Sequence, residues 1–275
     1  MPLTLERPMY NLIATDLDGT LLLQEDIIGK FTRKVLTDLS SMGKQIVFAT
    51  GRHHADVNSI IGDFDIPVHL ITSNGARLTS ACKNLDIRQH LPSHIVKRVI
   101  EETQVDNDLV INMYCGSQWL TNEVNHNFSD FSQNDNFNPT FKCVDEMPCD
   151  AVEKVFFIHK SRNHDALVKL ERHLIDLFSD NVSIAFSFPW SLEVMGSGVS
   201  KGQALIQLAG FLGIPMNKTI AFGDGMNDVE MLSTVAKGVI MGTAHNRVKQ
   251  ALPDADIIGS CCEESVAHYL SENMC

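Results

Sequence analysis

Three short apolar runs within the first 80 residues, each stopping abruptly at a polar loop, constrain the fold more than any other feature. They are "YNLIATD", "QIVFATGR" and "VHLITSNGA". Strands covered on both faces are apolar throughout, whereas half-exposed strands alternate. Between the runs lie "TRKVLTDLSSMG" and "HADVNSIIGDF", with apolar positions at helical spacing, the first closed by a glycine. Buried strands alternating with helices predict an α/β fold built on a parallel sheet. The rhythm returns near the end of the chain. "KGQALIQLAGFLGI", "NDVEMLSTV", "AHNRVKQAL" and "EESVAHYL" read as helices, and "KTIAFGD", "GVIMG" and "DIIG" as strands.

The middle differs. "SHIVKRVIEETQ" and "DALVKLERHLIDLF" predict helices, and "DLVINMYC", "QWLTNE", "TFKCVDEM", "EKVFFIHK" and "VSIAFSF" predict strands. "NHNFSDFSQNDNFNP" is polar and Asn-rich, and predicts a helix followed by a loop. This stretch reads as an α+β module inserted into the α/β domain. The expected division is 1–85 and 191–275 for the core and 86–190 for the insert.

With 275 residues, 44% of them hydrophobic, the chain can bury a sizeable core. Its formal net charge of -12 repels nucleic-acid backbones and anionic membranes, so neither is expected as a partner. A small anion could still bind where local cations neutralise it. No apolar run is long enough to span a membrane, and the start lacks a basic segment followed by a long apolar one. The seven cysteines are scattered, with no C-x-x-C pair. That pattern suits reduced thiols and a cytoplasmic protein.

Ligands of parallel α/β sheets bind at the carboxyl ends of the strands. The loops there carry Asp16 and Asp18, Thr50-Gly51-Arg52, Ser73-Asn74-Gly75, and Gly223 to Asp228, while "GSGVSKG" brings Lys201 to a helix start. Two carboxylates at close range raise each other's pKa unless a cation intervenes. Asp16, Asp18, Asp224 and Asp228 offer oxygen alone, which suits a hard ion such as Mg²⁺ better than zinc. Singly, each segment is a common turn or helix start. Together, in this order, they point to one site. Other phosphate motifs fail: in "GSGVSKG" the lysine precedes the last glycine, and Gly223-x-Gly225 lacks a third glycine. His90, His94 and His53-His54 read as loop and surface residues.

The segments "DLDGTLL", "FATGR", "SKG" and "GDGMND" resemble the four motifs of the haloacid dehalogenase (HAD) superfamily of phosphotransferases, in that family's order. "ITSNGAR", "EVMGSGVSKG", "AFGDGMNDVEML" and "VIMGTAHNRVK" are similar to its Cof-type members with a C2 (IIB) cap. The resemblance implies a Rossmann-like core with an inserted α+β cap, and a Mg²⁺-dependent phosphatase working through an aspartyl-phosphate. It implies Asp16 as nucleophile, Asp18 as general acid and base, and Lys201 as a catalytic cation. Leu17, Thr50, Gly51, Lys201 and Asn227 would hold phosphate, and Asp16, Asp18 (through its carbonyl) and Asp224 the metal. Asp228 would orient Lys201 or a metal-bound water.

The substrate implied is a small phosphorylated molecule. The leading expectation is 4-amino-2-methyl-5-hydroxymethylpyrimidine pyrophosphate (HMP-PP). Sugar phosphates, pyridoxal phosphate and FMN are alternatives, as are a phosphomutase and a non-catalytic phosphometabolite sensor. The cap residues Tyr114, Trp119 and Glu123, with Arg52 and Asn74 from the core, are the candidate specificity residues.

Overall fold

The computed structural model describes residues 10–62, 64–124 and 137–274. The expected helix and loop in "NHNFSDFSQNDNFNP" lie largely outside them. The chain opens with β1 (Leu12–Thr15), α1 (Lys30–Ser41), β2 (Gln45–Ala49), α2 (His54–Ile61) and β3 (Val68–Thr72), followed by β4 (Arg77–Thr79) and β5 (Asp86–Arg88). The insert contributes α3 (Ser93–Thr103), β6 (Leu109–Cys115), β7 (Gln118–Thr121), β8 (Thr140–Phe141), β9 (Val152–His159), α4 (His164–Phe178), β10 (Val182–Phe188) and β11 (Ser191–Gly196). The core resumes with α5 (Lys201–Leu212), β12 (Thr219–Gly223), α6 (Val229–Thr234), β13 (Lys237–Met241), α7 (Asn246–Ala251), β14 (Asp256–Ile258) and α8 (Ser265–Met274).

The core sheet has the order β14-β13-β12-β1-β2-β3-β4-β5. It is parallel from β14 to β3 and ends in the antiparallel β4 and β5. Alternation along each strand sends side chains to both covers. Ile13, Phe48 and Phe222 pack with Leu36 and Leu39 of α1 and Leu270 of α8. Leu12, Ala14 and Val47 face Leu205 and Leu208 of α5 and Met231 of α6. The chain runs outward from β1 to β3 on one side and from β12 to β14 on the other. The strand order therefore reverses between β1 and β12, where such sheets open a crevice.

The second sheet, β10-β11-β9-β6-β7-β8, is antiparallel except for the β7–β8 pair. One face packs on α3 and α4 through Val96, Val99, Leu167 and Leu174. The other carries Tyr114, Trp119, Phe137 and Phe156 toward the core domain. His53 of the core stacks on Phe137 at 4.5 Å.

The sheets divide the chain later than the sequence suggests at both crossings. β5 pairs with β4 at the edge of the core sheet, so residues 86–88 belong to the core. β11 pairs with β9 and β10, so residues 191–196 belong to the cap. "DIR" is too short and polar to announce a strand, and "SLEVMG" hides its strand character behind a central glutamate and a terminal glycine. "TFKCVDEM" also shortens: only Thr140–Phe141 is strand, followed by a 3₁₀ turn. Among the described residues no helix is long and apolar enough to cross a membrane. The six described cysteines are free.

Phe48 is fully buried and stacks on Phe64 at 6.3 Å. Phe48→Ala should cost about 3–5 kcal/mol of unfolding free energy through transfer and cavity terms. Urea unfolding should show the midpoint falling accordingly.

Candidate active site

The site is built where the strand order reverses. Asp16 follows β1, with its backbone N–H bonded to the Phe222 carbonyl at 3.0 Å, so the ends of β1 and β12 are tied together. The next loop turns sharply. Gly19 has φ +76°, and a Cβ there would lie 2.5 Å from Asp224 Oδ2. Only glycine permits that turn and that approach. Thr20 then donates its hydroxyl to Asp224 Oδ1 at 3.0 Å. "DGT" is thus the segment that clasps the carboxylate arriving from β12.

Lys201 enters from the other side. Ser200 caps α5 by accepting from the Gln203 N–H at 3.0 Å, and Lys201 is the first helical residue. Its buried ammonium donates to Asp16 Oδ1 and to Asp228 Oδ1, both at 2.7 Å. Burial disfavours that charge, but Asp16 and Asp228 more than offset it and hold the ammonium protonated above its ordinary range. Asp16 is pushed well above the usual carboxylate range by burial first and by the Asp228 charge second. Asp224 rises to about 7 for the same two reasons, against the Thr20 hydrogen bond.

Oxygen atoms of Asp16, Asp224 and Asp228 lie within 4.8 Å of one another. They are not equivalent. Asp228 spends Oδ1 on Lys201 and Oδ2 on the backbone N–H groups of Asp224 and Gly225, at 3.0 and 2.9 Å. Asp16 and Asp224 each keep Oδ2 without a donor among the described residues. Free carboxylate oxygens with no nitrogen or sulfur ligand fit a hard cation such as Mg²⁺. Asp228 is occupied as the organiser of the loop and of Lys201.

Asp18 is held apart from this cluster. Both its oxygens accept from Arg52, with Nε contacts at 3.1 and 2.9 Å and an Nη2 contact at 2.6 Å. Arg52 also binds Asp26 through both terminal nitrogens and Asp56 through Nη1 at 3.0 Å. A guanidinium has five N–H donors, and these carboxylates engage every one of them. Arg52, expected to read the substrate, lines the cavity but has no donor to spare; it positions Asp18. Thr50 is fully buried, and its Oγ1 accepts from the Arg52 N–H at 3.1 Å, leaving the hydroxyl proton free to donate.

The cap completes the enclosure. A narrow cavity of about 20 Å³ is lined by Asp16, Asp18, Gly51 and Asn227 from the core and by Tyr114, Lys154, Ser187 and Glu193 from the cap. Lys154 of β9 donates to the Gly51 carbonyl at 2.8 Å and pairs with Glu193 of β11. Asn74 donates to Glu193 at 2.8 Å and accepts from Asn227 at 2.9 Å, and Ser73 donates to Glu153 at 2.6 Å.

A family model for haloacid dehalogenase-like hydrolases matches residues 13–270. The chain belongs to that family. A relative from Buchnera aphidicola is 38% identical over 272 residues, covering 96% of each chain. An HMP-PP phosphatase of Yersinia pseudotuberculosis is 36% identical over 262 residues, covering 95% of this chain and 94% of that one. Among solved structures, a haloacid dehalogenase-like hydrolase from B. subtilis superposes with TM-score 0.81 at 24% identity, covering 96% of this chain and all of that one (100%). A HAD subclass IIB sugar phosphatase gives TM-score 0.79 at 22% identity, covering 95% and 98%. The protein is a phosphatase of the HAD fold, as the motif resemblance implied.

Asp16, Asp18, Gly51 and Asn227 of this HAD phosphatase line one cavity, with Lys201 and Asp224 beside it, while the cap residues sort differently. Trp119 is 1% exposed, bonds Asn112 through its indole N–H at 3.0 Å, and does not line the cavity. Glu123 pairs with Lys160 at 3.3 Å, also away from it. Tyr114 does reach the cavity wall, under the Lys154 ammonium at 4.7 Å. Asn74 joins cap to core. Lys154, Glu193, Glu153 and Ser187 were missed. The available signal was a charge in the middle of an apolar strand, in "VEKVFFIH" and "SLEVMG", since such a charge must find a partner.

Lys154 and Glu193 are both about 2% exposed as side chains. Burial lowers the Lys154 pKa, and Glu193 opposes that shift. Lys154→Met should therefore strand a buried carboxylate and cost about 3–5 kcal/mol. Lys154→Met/Glu193→Leu should recover part of the loss in denaturant unfolding. Equal midpoints for wild type and the single variant would show that the pair carries no stability.

Proposed function

We propose that this phosphatase hydrolyses a small organophosphate through a phosphoryl group carried on Asp16, with HMP-PP as the favoured substrate. The observation that carries the reading is the convergence of Asp16, Asp224 and Lys201 at one crevice, with Asp16 Oδ1 pinned by Lys201 at 2.7 Å. The Yersinia relative supports the substrate. The free cysteines support a reducing, cytoplasmic setting.

Asp16 attacks phosphorus. A carboxylate-oxygen-to-phosphorus bond forms as the bond to the leaving oxygen breaks. Asp18, in the turn two residues on and gripped here through both oxygens by Arg52, gives the leaving oxygen a proton after releasing the guanidinium and taking that proton up from solvent. It then takes a proton from the attacking water, whose oxygen bonds to phosphorus while the Asp16–phosphorus link breaks. Inorganic phosphate leaves and both aspartates return to their starting states. The Thr50 hydroxyl, the Leu17 and Gly51 amides, Lys201 and the Asn227 amide hold the phosphoryl oxygens as charge shifts across them. Lys201 also keeps Asp16 oriented, and Asp228 keeps Lys201 in place. Asp16, Asp224 and the Asp18 carbonyl would hold Mg²⁺, which would supply positive charge to offset repulsion between carboxylate and phosphate. The closed cap excludes bulk water from the reacting groups.

Asp16→Asn should reduce phosphate release from HMP-PP by at least about a thousandfold, because an amide is a poor nucleophile. A phosphate-release assay that found substantial turnover would remove the covalent route. EDTA should stop turnover and Mg²⁺ should restore it, while also raising the thermal midpoint by relieving carboxylate repulsion. Rescue by Zn²⁺ alone would contradict the oxygen-ligand assignment.

A further inference from the structure

Cys261 and Cys262 are the one place in the sequence where two of the seven cysteines are adjacent. They follow β14, at the carboxyl edge of the core sheet that also carries Asp16 and Asp224. The Gly242 N–H donates to the Gly259 carbonyl at 3.0 Å, which ties this loop to the one after β13. Cys262 is exposed, whereas Cys261 is half-buried against the cluster that contains Leu36 and Leu270. Cys261 interacts directly with the Cys262 side chain and lies within electrostatic reach of Asp224. Burial pushes the Cys261 thiol above its ordinary range, and Cys262 adds to the rise. One thiol therefore meets solvent, and a second, shielded one stands beside it.

The turn that holds them is tied to α1. Cys261–Glu263 form a 3₁₀ turn, in which Glu263 Oε2 accepts from the Ser260 N–H at 2.9 Å and the Ser260 hydroxyl at 2.8 Å. The Cys261 carbonyl belongs to the peptide bond that joins the two cysteines. It accepts from the Glu264 N–H at 2.9 Å. That bond helps hold Glu264 at φ +49°, a left-handed conformation that costs a non-glycine residue. The Glu264 carboxylate is thereby aimed at α1. Its Oε1 accepts from the Thr32 N–H at 2.8 Å and leaves no room for a Cβ at residue 29. Gly29 precedes α1 and supplies no capping side chain, so a residue from the far end of the chain caps this helix. Three residues before Gly29, Asp26 binds Arg52 through both terminal nitrogens.

We propose that Cys261 and Cys262 form a reversible oxidation site, closed to a disulfide by a hydroperoxide, and that closure withdraws the Glu264 cap from α1 and slows turnover. The Cys262 sulfur attacks one peroxide oxygen. A sulfur–oxygen bond forms as the oxygen–oxygen bond breaks, and the thiol proton leaves with the departing oxygen. The Cys261 sulfur then attacks the Cys262 sulfur. The disulfide forms as the sulfur–oxygen bond breaks, and the displaced hydroxide takes the Cys261 proton and leaves as water. The pair gives two electrons to the peroxide, and a dithiol reductant returns them. Consecutive Cα atoms are about 3.8 Å apart, less than the roughly 4.4–6.8 Å that disulfides ordinarily span. The ring closes only by twisting the peptide bond it contains, the one whose carbonyl holds Glu264. Such strain also makes the bridge easy to reduce. Release of Glu264 loosens the first turn of α1 and the segment that brings Asp26 to Arg52. An Arg52 that loses Asp26 leans harder on Asp18, which must leave it to serve the leaving group. This last step rests on the reading of Asp18 as the catalytic acid.

The test treats the full chain with hydrogen peroxide, alkylates the remaining thiols with iodoacetamide and maps the peptides by mass spectrometry. The peptide with both cysteines should carry no alkyl group and lack two hydrogens, and dithiothreitol should restore both thiols. Cys262→Ser should abolish that product and keep wild-type turnover of benzyl phosphate, whose alkoxide leaving group needs a proton. In oxidised wild-type protein, amide exchange at Thr32 should quicken and kcat should fall, each by at least about fivefold, the lower end of ordinary coupling between sites. Glu264→Ala should show both changes before peroxide and little further change after it. Thiols that both stay open to alkylation, or a bridge to another cysteine, would overturn the site. A bridge that left Thr32 exchange unchanged would overturn the link to α1, and faster exchange at constant kcat would overturn the effect on turnover. Reduced protein that released no phosphate would overturn the hydrolytic reading instead, and the peptide map and the Thr32 exchange would still decide this one.

Discussion

The buried ammonium of Lys201 between Asp16 and Asp228 is the interaction on which the rest of the site depends. Three carboxylates crowd one crevice, and without a cation their repulsion would drive protonation or separation of the loops. One lysine reduces that cost and sets direction as well. It takes Oδ1 of Asp16 and Oδ1 of Asp228, which leaves Oδ2 of Asp16 facing the crevice. Asp228 turns its second oxygen to the backbone of Asp224 and Gly225, so the same ion pair shapes the loop that presents Asp224. The carboxylates stay close because Asp16 and Asp228 share the Lys201 ammonium and Asp224 takes the Thr20 hydroxyl. A helix start, capped by Ser200, delivers the cation that makes this possible.

The same logic recurs twice at larger radius. Arg52 gathers Asp18, Asp26 and Asp56, and Lys154 pairs with Glu193 across the cap strands. In a chain of net charge -12 these cations are concentrated where acidic groups converge. The Lys154 pair has a second consequence. Its ammonium also bonds the Gly51 carbonyl, so a charge desolvated within the cap is completed by the core. Opening the cap would break that bond and the Asn74–Glu193 bond together. Closure is therefore a polar event with defined geometry, unlike the loose apposition of two apolar faces.

The legible part of this molecule is the part whose chemistry is local in sequence. β1, β2, β3 and β12 announce themselves as apolar runs, and the loops that end them carry Asp16, Thr50, Asn74 and Asp224. Their convergence follows from the topology of any such sheet. What was not legible depends on pairing between distant segments. β5 is strand only because β4 offers it an edge, and β11 only because β9 and β10 flank it. Glu193 and Lys154 look like solvent-facing positions until register places them on the same side of adjacent strands. Arg52 was visible as a residue of the site, but its role turns on Asp26 and Asp56, which nothing in the local pattern ties to it.

Tyr114 and Trp119 show why aromatic residues in a cap are poor guides to specificity. β6 and β7 sit inside the cap sheet, and their aromatic side chains pack with Phe137, Phe156 and His53, which keeps Trp119 off the cavity and leaves Tyr114 as part of its wall. Trp119 spends its one donor on Asn112. A side chain consumed by packing and by an internal hydrogen bond has little left with which to discriminate. β10 is different: among the described residues it is an edge strand, and its last residues, Phe186 to Phe188, line the space beside the crevice. Edges of the cap sheet can face a ligand because the sheet has not already claimed their surroundings. Selectivity in this architecture should accordingly concentrate on edge strands and on the core loops beneath them, while the sheet centre supplies the fixed charges that hold the cap shut.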